Sequence, residues 1–470
     1  MASSRKSSRS SRAGPGPDPA ARVAVQIRST VKPADRLVVG FSGGVDSVVL
    51  LDNLARLRRS ARFHLSALHV NHQLSPNAGR WSAFCSNFCR KLGVPFKSVK
   101  VHVARGDSTE AAARAARYAA YAREPADYVV LAQHQDDQAE TVLLQLLRGA
   151  GVKGLAAMPP IRKSKVGSRK SKKDPSPITH HPSPGILRPL LDVTRQEILE
   201  YAKRRGLKWV EDESNTDTYF LRNFLRHEVL PVIARRIPGY RGTLARSAQH
   251  LAEAARVLDE VAAADGAGQM EERTLAVEAL RRLPAARAKN LLRYFLAHCG
   301  ASMPGAERLD EALRQTLTAK EDARVLIDVG DFELRRFEDR LHAIPGLAVP
   351  RPGYTRRWRG ERNLRLLELG SVLAMNRGRG SGVSAARLRG RPVTIRVRSG
   401  GERLQPDARR PRRSLKNLLQ EARVPPWRRE RLPLIFCGDE LVWAAGIGVD
   451  CAYSSARDEP ALRPEWKPSA

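Results

Sequence analysis

Long apolar runs are missing from this chain. No stretch approaches the roughly eighteen apolar residues that a membrane-spanning helix requires, so a soluble protein with no membrane partner is expected. The amino terminus, "MASSRKSSRSSRAGPGPDPA", carries charge without an apolar segment, so no secretory signal is expected there. Its Arg and Ser content is compatible with an organellar transit peptide, but reads first as a disordered basic tail over residues 1–22. Cysteine is scarce, with five in 470 residues. An odd number spread thinly argues for reduced thiols and a cytoplasmic location, against a disulfide scaffold. Acidic charge is short as well: 49 Asp and Glu stand against 82 Lys and Arg, a formal net charge of +33. That surplus specifies no fold, but it favours a polyanionic partner, nucleic acid before an anionic surface.

What is present is enough apolar residue, 42%, to bury cores in roughly two to four folding units. From Arg36 to about Arg226, strand-like and helix-like segments alternate. "RLVVGF" precedes "VDSVVLLDNLARLRR", "FHLSALHVNH" precedes "WSAFCSNFCRKLG", and "DYVVLAQH" precedes "DDQAETVLLQLLRGAG". Repeated βα units predict an α/β domain with a parallel sheet over residues 23–230. Within it, "RKSKVGSRKSKK" and the Pro-rich "DPSPITHHPSPG" cannot bury a core and read as a basic mobile insertion, 160–185. Residues 231–349 show helical spacing and then a hairpin-like alternation turning near Gly330 and Asp331, which predicts a mainly helical domain. Residues 350–390 are rich in Arg and Gly and read as a linker. Residues 391–470 read as a small α+β C-terminal domain.

The stretch "RLVVGFSGGVDSVVLLDNL" carries the chemistry. Ser42, Gly43, Gly44, Val45, Asp46 and Ser47 stand where a strand ends and a helix begins. Glycines there expose backbone N–H groups and the helix terminus adds partial positive charge, a combination that holds phosphate. Ser42 and Ser47 add hydroxyl donors. No Gly-Lys-Ser/Thr follows, so this is not a Walker A loop, and no G-x-G-x-x-G is present. Asp46 inside a phosphate site would repel its ligand unless a divalent cation lies between them, so Mg²⁺ held by way of ATP is implied.

"SGGVDS" resembles the PP-loop of the ATP pyrophosphatases, which cleave ATP between its α and β phosphates. "LHVNHQLSPNA", "EAAARAARYAA", "HQDDQAETVLLQLLRGAGVKGL" and "EDESNTDTYFLRNFLR" resemble the tRNA(Ile)-lysidine synthetase family more narrowly. So do "GERLQP", "SLKNLLQEARVPPWRRERLPLIF" and "GDELVWAAGIGVD" in the last domain. One departure is Gln133, where that family often has the first of two histidines. The resemblance implies that free L-lysine is joined to a cytidine of the CAU-anticodon isoleucine tRNA, with ATP cleaved to AMP and pyrophosphate.

Asp136, Asp137 and Glu140 open a helix, and spacings of three and four bring Glu140 beside both aspartates. Capping and dipole complementation explain one such acid well and three poorly. The three are expected to form a carboxylate patch for Mg²⁺ or a cationic amine, catalytic together with Asp46. His69, Asn71 and His72 fall at the carboxyl edge of the sheet, where α/β proteins bind ligands, and are expected near ATP. Cys85 and Cys89 share a helix face without a zinc knuckle and are expected to lie away from the end of the sheet. Arg114 and Arg117 belong either to a solvated face or to a phosphate contact. Arg222, Asn223 and Arg226 share one helical face that the resemblance brings near substrate or tRNA. Around Lys416 and Trp427 the basic "ARRPRRSLKNLLQEARVPPWRRER" is expected to bind RNA backbone.

Three functions follow for weighing: the lysine ligase, a PP-loop tRNA sulfur transferase, and a non-catalytic basic RNA-binding protein. The sulfur transferases need paired or cluster-binding cysteines, which are not evident here. The intact loop and acids argue against the third. A homodimer is neither required nor excluded.

Overall fold

The computed structural model describes residues 18–73, 75–102, 109–162, 183–319, 326–346, 350–351 and 353–468. The basic insertion, apart from its two ends, and nearly all of the amino-terminal tail lie outside them. The chain divides into two units, residues 1–258 and 259–470.

The first unit opens with α1 (Pro19–Thr30), β1 (Arg36–Gly40), α2 (Val45–Ala61), β2 (His64–Asn71), α3 (Ala78–Leu92) and β3 (Phe96–Lys100). It continues through α4 (Thr109–Ala122), β4 (Tyr128–Val130), α5 (Gln135–Leu147), α6 (Val152–Leu155), β5 (Ile161–Arg162), β6 (Gly185–Leu187) and α7 (Arg195–Arg204). The sheet order is β3-β2-β1-β4-β6-β5. All its pairs are parallel except β5 with β6. Both faces of β1 are covered, which is why its middle, Leu37 to Val39, is apolar. Leu37 and Val39 join a core with Val48, Leu51 and Ile198, while Val38 joins Leu68, Tyr121 and Ile186 on the other face. After α7 come α8 (Leu221–Phe224), one π-helical turn (Leu225–Val229), α9 (Leu230–Arg236) and the long α10 (Tyr240–Asp265). Ala139 of α5 packs on Leu230 and Tyr240, tying this helical extension to the sheet domain.

The second unit begins with β7 (Met270–Glu271), β8 (Thr274–Ala276), α11 (Val277–Arg281), α12 (Ala285–Cys299) and α13 (Ala306–Thr318). Then β9 (Leu326–Asp328), β10 (Phe332–Phe337) and β11 (Arg340–Pro345) complete a five-stranded sheet, β7-β8-β11-β10-β9. Residues 231–349 are thus mainly helical, from α9 through α13, with a small five-stranded sheet added. The expected turn at Gly330 joins β9 to β10, and a second follows. Glu338 and Asp339 close the β10–β11 hairpin with φ of 46° and 55°, the left-handed pair that a two-residue turn requires. Neither residue is glycine, so the second turn left little trace in the sequence.

Residues 350–390, expected as a linker, are folded. They supply β12 (Thr355–Arg357), β13 (Asn363–Leu366), β14 (Ser371–Arg379) and β15 (Val383–Ser384). The remaining elements are β16 (Val393–Arg396), β17 (Arg403–Leu404), β18 (Arg413–Ser414), α14 (Leu415–Glu421), α15 (Pro426–Arg429), β19 (Leu434–Cys437), β20 (Glu440–Ala444), β21 (Gly448–Val449) and β22 (Pro460–Pro468). β14 pairs with β22 along its whole length, from Ser371 opposite Pro468 to Arg379 opposite Pro460. Leu364, Leu366, Leu373 and Met375 enter the same core as Leu419, Leu434 and Val442. Arginine and glycine density masked an alternation whose partner strand is distant in sequence.

Candidate active site

β1 ends at Gly40 and α2 begins at Val45, so the glycine loop lies at the carboxyl edge of the parallel sheet. Gly43 has φ +90°, and a Cβ there would come within 3.0 Å of Cys85 Sγ. Both facts demand glycine. The loop is held from inside. Ser47 Oγ donates to the Gly44 carbonyl at 2.9 Å and accepts from Gly43 N at 3.1 Å, so this hydroxyl shapes the loop. Val210 N donates to the Gly43 carbonyl at 2.9 Å. Ser42 is exposed and Val45 points into the core.

Asp46, in the first turn of α2, is the acid without a settled partner. Its Oδ1 is buried and accepts no hydrogen bond. His134 Nε2 and Arg195 lie 3.7 and 3.8 Å from its two oxygens, close enough for attraction and too far for good hydrogen bonds. Burial pushes its carboxyl above the ordinary range despite those neighbours. An orphaned buried carboxylate oxygen beside a phosphate-shaped loop fits a hard divalent cation such as Mg²⁺.

The three acids of α5 do come together near Asp46, but not as an open patch. Glu140 is 1% exposed and accepts from Arg222 Nε at 2.7 Å and Arg226 Nε at 2.6 Å. Asp137 Oδ1 accepts from the same two arginines, and its Oδ2 accepts from His134 N at 3.1 Å. Burial opposes ionisation of Asp137, yet His134 and Arg222 outweigh it and hold its carboxyl low. Asp136 accepts from Arg195 N at 2.9 Å and from Arg241 of α10. The acids expected to receive a cation are each paired with arginine in this structure, Asp136 with Arg241, and Glu140 and Asp137 with Arg222 and Arg226. The π-helical turn directly after α8 widens the helix between these arginines. Asn223, from the same expected face, donates instead to the Asp217 carbonyl at 2.9 Å.

His134, Arg195 and Arg241 were missed from the sequence. His134 caps α5: its Nδ1 accepts from Asp137 N at 3.4 Å. That places the ring proton on Nε2, directed at Asp46 and Asp137. Its position just before the acid pair at a helix start was the available signal.

Other expected residues take varied places. His69 is buried, and its Nδ1–H donates to the Phe41 carbonyl at 2.9 Å, which orients the strand end. Asn71 Oδ1 accepts from Gln73 N at 2.8 Å. Burial and neighbouring Arg117 push His72 down to about 4, and Arg117 Nε lies 3.4 Å from its Nε2. Arg114 sits over the Tyr118 ring at 5.2 Å. Cys85, expected away from the sheet end, lies directly beneath the loop with Sγ 3.7 Å from His69 Nδ1. It is fully buried, and burial pushes it and Cys89 up to about 12.

In the second unit Lys416 is exposed on α14. Trp427 is not an open stacking platform. Its ring meets His342 at 5.1 Å and Phe337 at 5.9 Å, and the Arg335 guanidinium lies 5.7 Å from it.

Comparison with known proteins identifies the family. The PP-loop domain family matches residues 19–233, the TilS substrate binding domain 275–342 and the TilS substrate C-terminal domain 393–466. The chain is 46% identical to the tRNA(Ile)-lysidine synthase of Nitrosomonas europaea over 94% of each chain. It belongs to the tRNA(Ile)-lysidine synthase family. Lysidine synthases of Azoarcus sp. and Chromobacterium violaceum are 40% and 43% identical, the alignments covering 94% and 92% of this chain and 94% and 95% of theirs. The PP-loop match runs past Arg226, so the loop, the four acids, Arg195, Arg222 and Arg226 lie inside it, and Arg241 lies beyond its end. The substrate-binding match ends at His342 and the C-terminal match contains Trp427.

Proposed function

We infer that this chain is an ATP-dependent ligase that attaches L-lysine to C2 of the cytidine at the first anticodon position of the CAU-anticodon isoleucine tRNA. The observation that carries this reading is near full-length similarity to lysidine synthases combined with an intact phosphate loop and an acid, Asp46, with one buried oxygen that accepts no hydrogen bond. ATP would lie with its phosphates on the backbone N–H groups of Ser42 to Asp46, at the positive end of α2. Asp46 would hold Mg²⁺, which when bound neutralises charge on the leaving pyrophosphate.

Cytidine O2 then attacks the α-phosphorus and the bond to pyrophosphate breaks. The lysine ε-amine next attacks C2 and the C–O bond to AMP breaks. Arg222 and Arg226, held by Glu140 and Asp137, present positive charge beside the loop where the phosphates reside. His134, with its free proton on Nε2, stabilises the carboxylates and is not placed as a base. The result converts a base that pairs with G into one that pairs with A, moving decoding from AUG to AUA.

Sulfur transfer is disfavoured because Cys85, although beneath the loop, is enclosed and held as a thiol. The test is nucleoside mass spectrometry on a CAU-anticodon transcript after incubation with ATP, Mg²⁺ and lysine. Cytidine heavier by lysine less one water supports the reading. A sulfur-for-oxygen shift, or ATP cleavage with no nucleoside change, defeats it.

A further inference from the structure

Trp427, expected to meet RNA, is half-buried and one side of its ring is taken up by protein. It lies in the C-terminal domain, and among the described residues the rings against it, Phe337 and His342, belong to the β10–β11 hairpin of the substrate-binding domain. His342 and Phe337 approach it edgewise, at interplanar angles of 65° and 83°, the favoured geometry for aromatic pairs. Arg335 adds a cation over the ring. At the hairpin tip Glu338 lies 3.6 Å from Arg423.

The chain that presents Trp427 is stiff. α14 ends with Arg423 in the left-handed conformation, φ 50°. Val424 N then donates to the Leu419 carbonyl at 3.0 Å, the Schellman closure of a helix end. Pro425 and Pro426 follow with their φ fixed by the ring, and Arg429 Nε donates back to the Val424 carbonyl at 2.7 Å. The hairpin side is equally constrained by its two-residue turn. Two rigid parts therefore meet at one indole.

We propose that Trp427 is a positioning residue that holds the C-terminal domain at a set distance from the substrate-binding domain, so that one tRNA engages both as a single surface. The RNA half of this claim builds on the lysidine synthase reading; the joint itself does not. A rigid joint lowers the ordering cost of binding a long ligand at two places. Loss of the joint should therefore weaken tRNA capture while leaving the chemistry, in the other unit, intact.

The test uses the full chain with Trp427→Ala, Trp427→Phe, His342→Ala and the Trp427→Ala/His342→Ala double variant. Trp427→Ala should raise the KM for tRNA roughly tenfold, with kcat at saturating tRNA and KM for ATP within about twofold of the parent. Trp427→Phe should recover most of that loss. His342→Ala should show the same KM effect, and the double variant should be no worse than the poorer single one. Thermal unfolding of the same four proteins without RNA should be non-additive in the same sense, whatever the enzyme's activity. Additive effects on tRNA KM would mean that Trp427 meets RNA on its own, and additive unfolding would mean that no joint exists; either overturns the proposal. Absence of lysidine formation by the parent, with coupling in unfolding intact, would sink the functional reading and leave the joint standing.

Discussion

Arg226 forks onto Glu140, its Nε 2.6 Å from Oε1 and a terminal nitrogen 2.9 Å from Oε2. Arg222 adds a third donor at 2.7 Å, and the carboxylate is sealed from water. Such charge-assisted, two-pronged pairing is strong because both donors meet the acceptor in one plane. It also means that Glu140 is the counter-charge on which two arginines depend. Removing it leaves two half-buried guanidiniums with Asp137 but without the carboxylate they fork onto, a loss greater than the net worth of the pair.

Glu140→Ala should therefore destabilise the first unit by about 3–5 kcal/mol. Denaturant unfolding followed by far-ultraviolet circular dichroism measures it. A loss under about 1 kcal/mol would show the fork to be a loose surface pair. Activity should fall with it, because Arg222 and Arg226 lose their positions.

Asp46 should behave in the opposite way. Burial raises its carboxyl above the ordinary value of 3.8, so the folded protein binds this proton more tightly than the unfolded chain does. The associated stability is complete below that ordinary value and is lost as pH rises through the folded-state value. At neutral pH and without nucleotide, Asp46→Asn should melt at or above the temperature of the parent, and the gap should close as pH falls toward 4. Pyrophosphate release with Mg²⁺ as the only metal should drop at least about a thousandfold. Near-parental turnover would remove Asp46 from the reaction.

The contrast between these two acids shows what was legible in the sequence. Asp46, Asp136, Asp137 and Glu140 could be found because glycine punctuation, strand-to-helix succession and acids at a helix start are local patterns. Their division of labour could not, because Arg222 and Arg226 approach Glu140 from more than eighty residues away. Cys85 was misplaced for a related reason: helical spacing gave its face but not that α3 packs beneath the glycine loop. The parallel sheet was legible from apolar runs such as Leu37 to Val39, covered on both sides. β14 was not, since its partner β22 lies at the far end of the chain and its arginines resemble those of a linker.

That pairing decides where the chain can be cut. Truncation before Val393 would remove β22 and strand β14 with its buried Leu373 and Met375, so the product should aggregate. A chain ending at residue 346 keeps the five-stranded sheet of the substrate-binding domain whole. It should bind ATP like the parent and bind tRNA far more weakly. For the parent, log affinity for tRNA should fall linearly with log salt, and the truncated chain should show a shallower slope if basic residues such as Lys416 neutralise phosphates and release counterions. Equal affinities and slopes would remove the C-terminal domain from RNA binding.

The last expectation concerns Cys85, the thiol nearest the loop. Burial pushes it and Cys89 up to about 12, so at pH 8 only on the order of one molecule in ten thousand carries a thiolate at either position. Neither should react with iodoacetamide in the folded protein, and both should react after denaturation. Cys85→Ala removes a packed sulfur next to Gly43 and His69 without touching the expected path of phosphate or amine. It should cost about 1–2 kcal/mol of stability and leave lysine transfer within about twofold of the parent once the protein is folded, because the joining amine comes from solution. Peptide mass spectrometry reads the alkylation, and radiolabelled lysine on the CAU-anticodon transcript reads the transfer. Rapid native alkylation of Cys85, or a folded alanine variant that cleaves ATP without modifying tRNA, would give the thiol a chemical role and reopen sulfur transfer as the reaction.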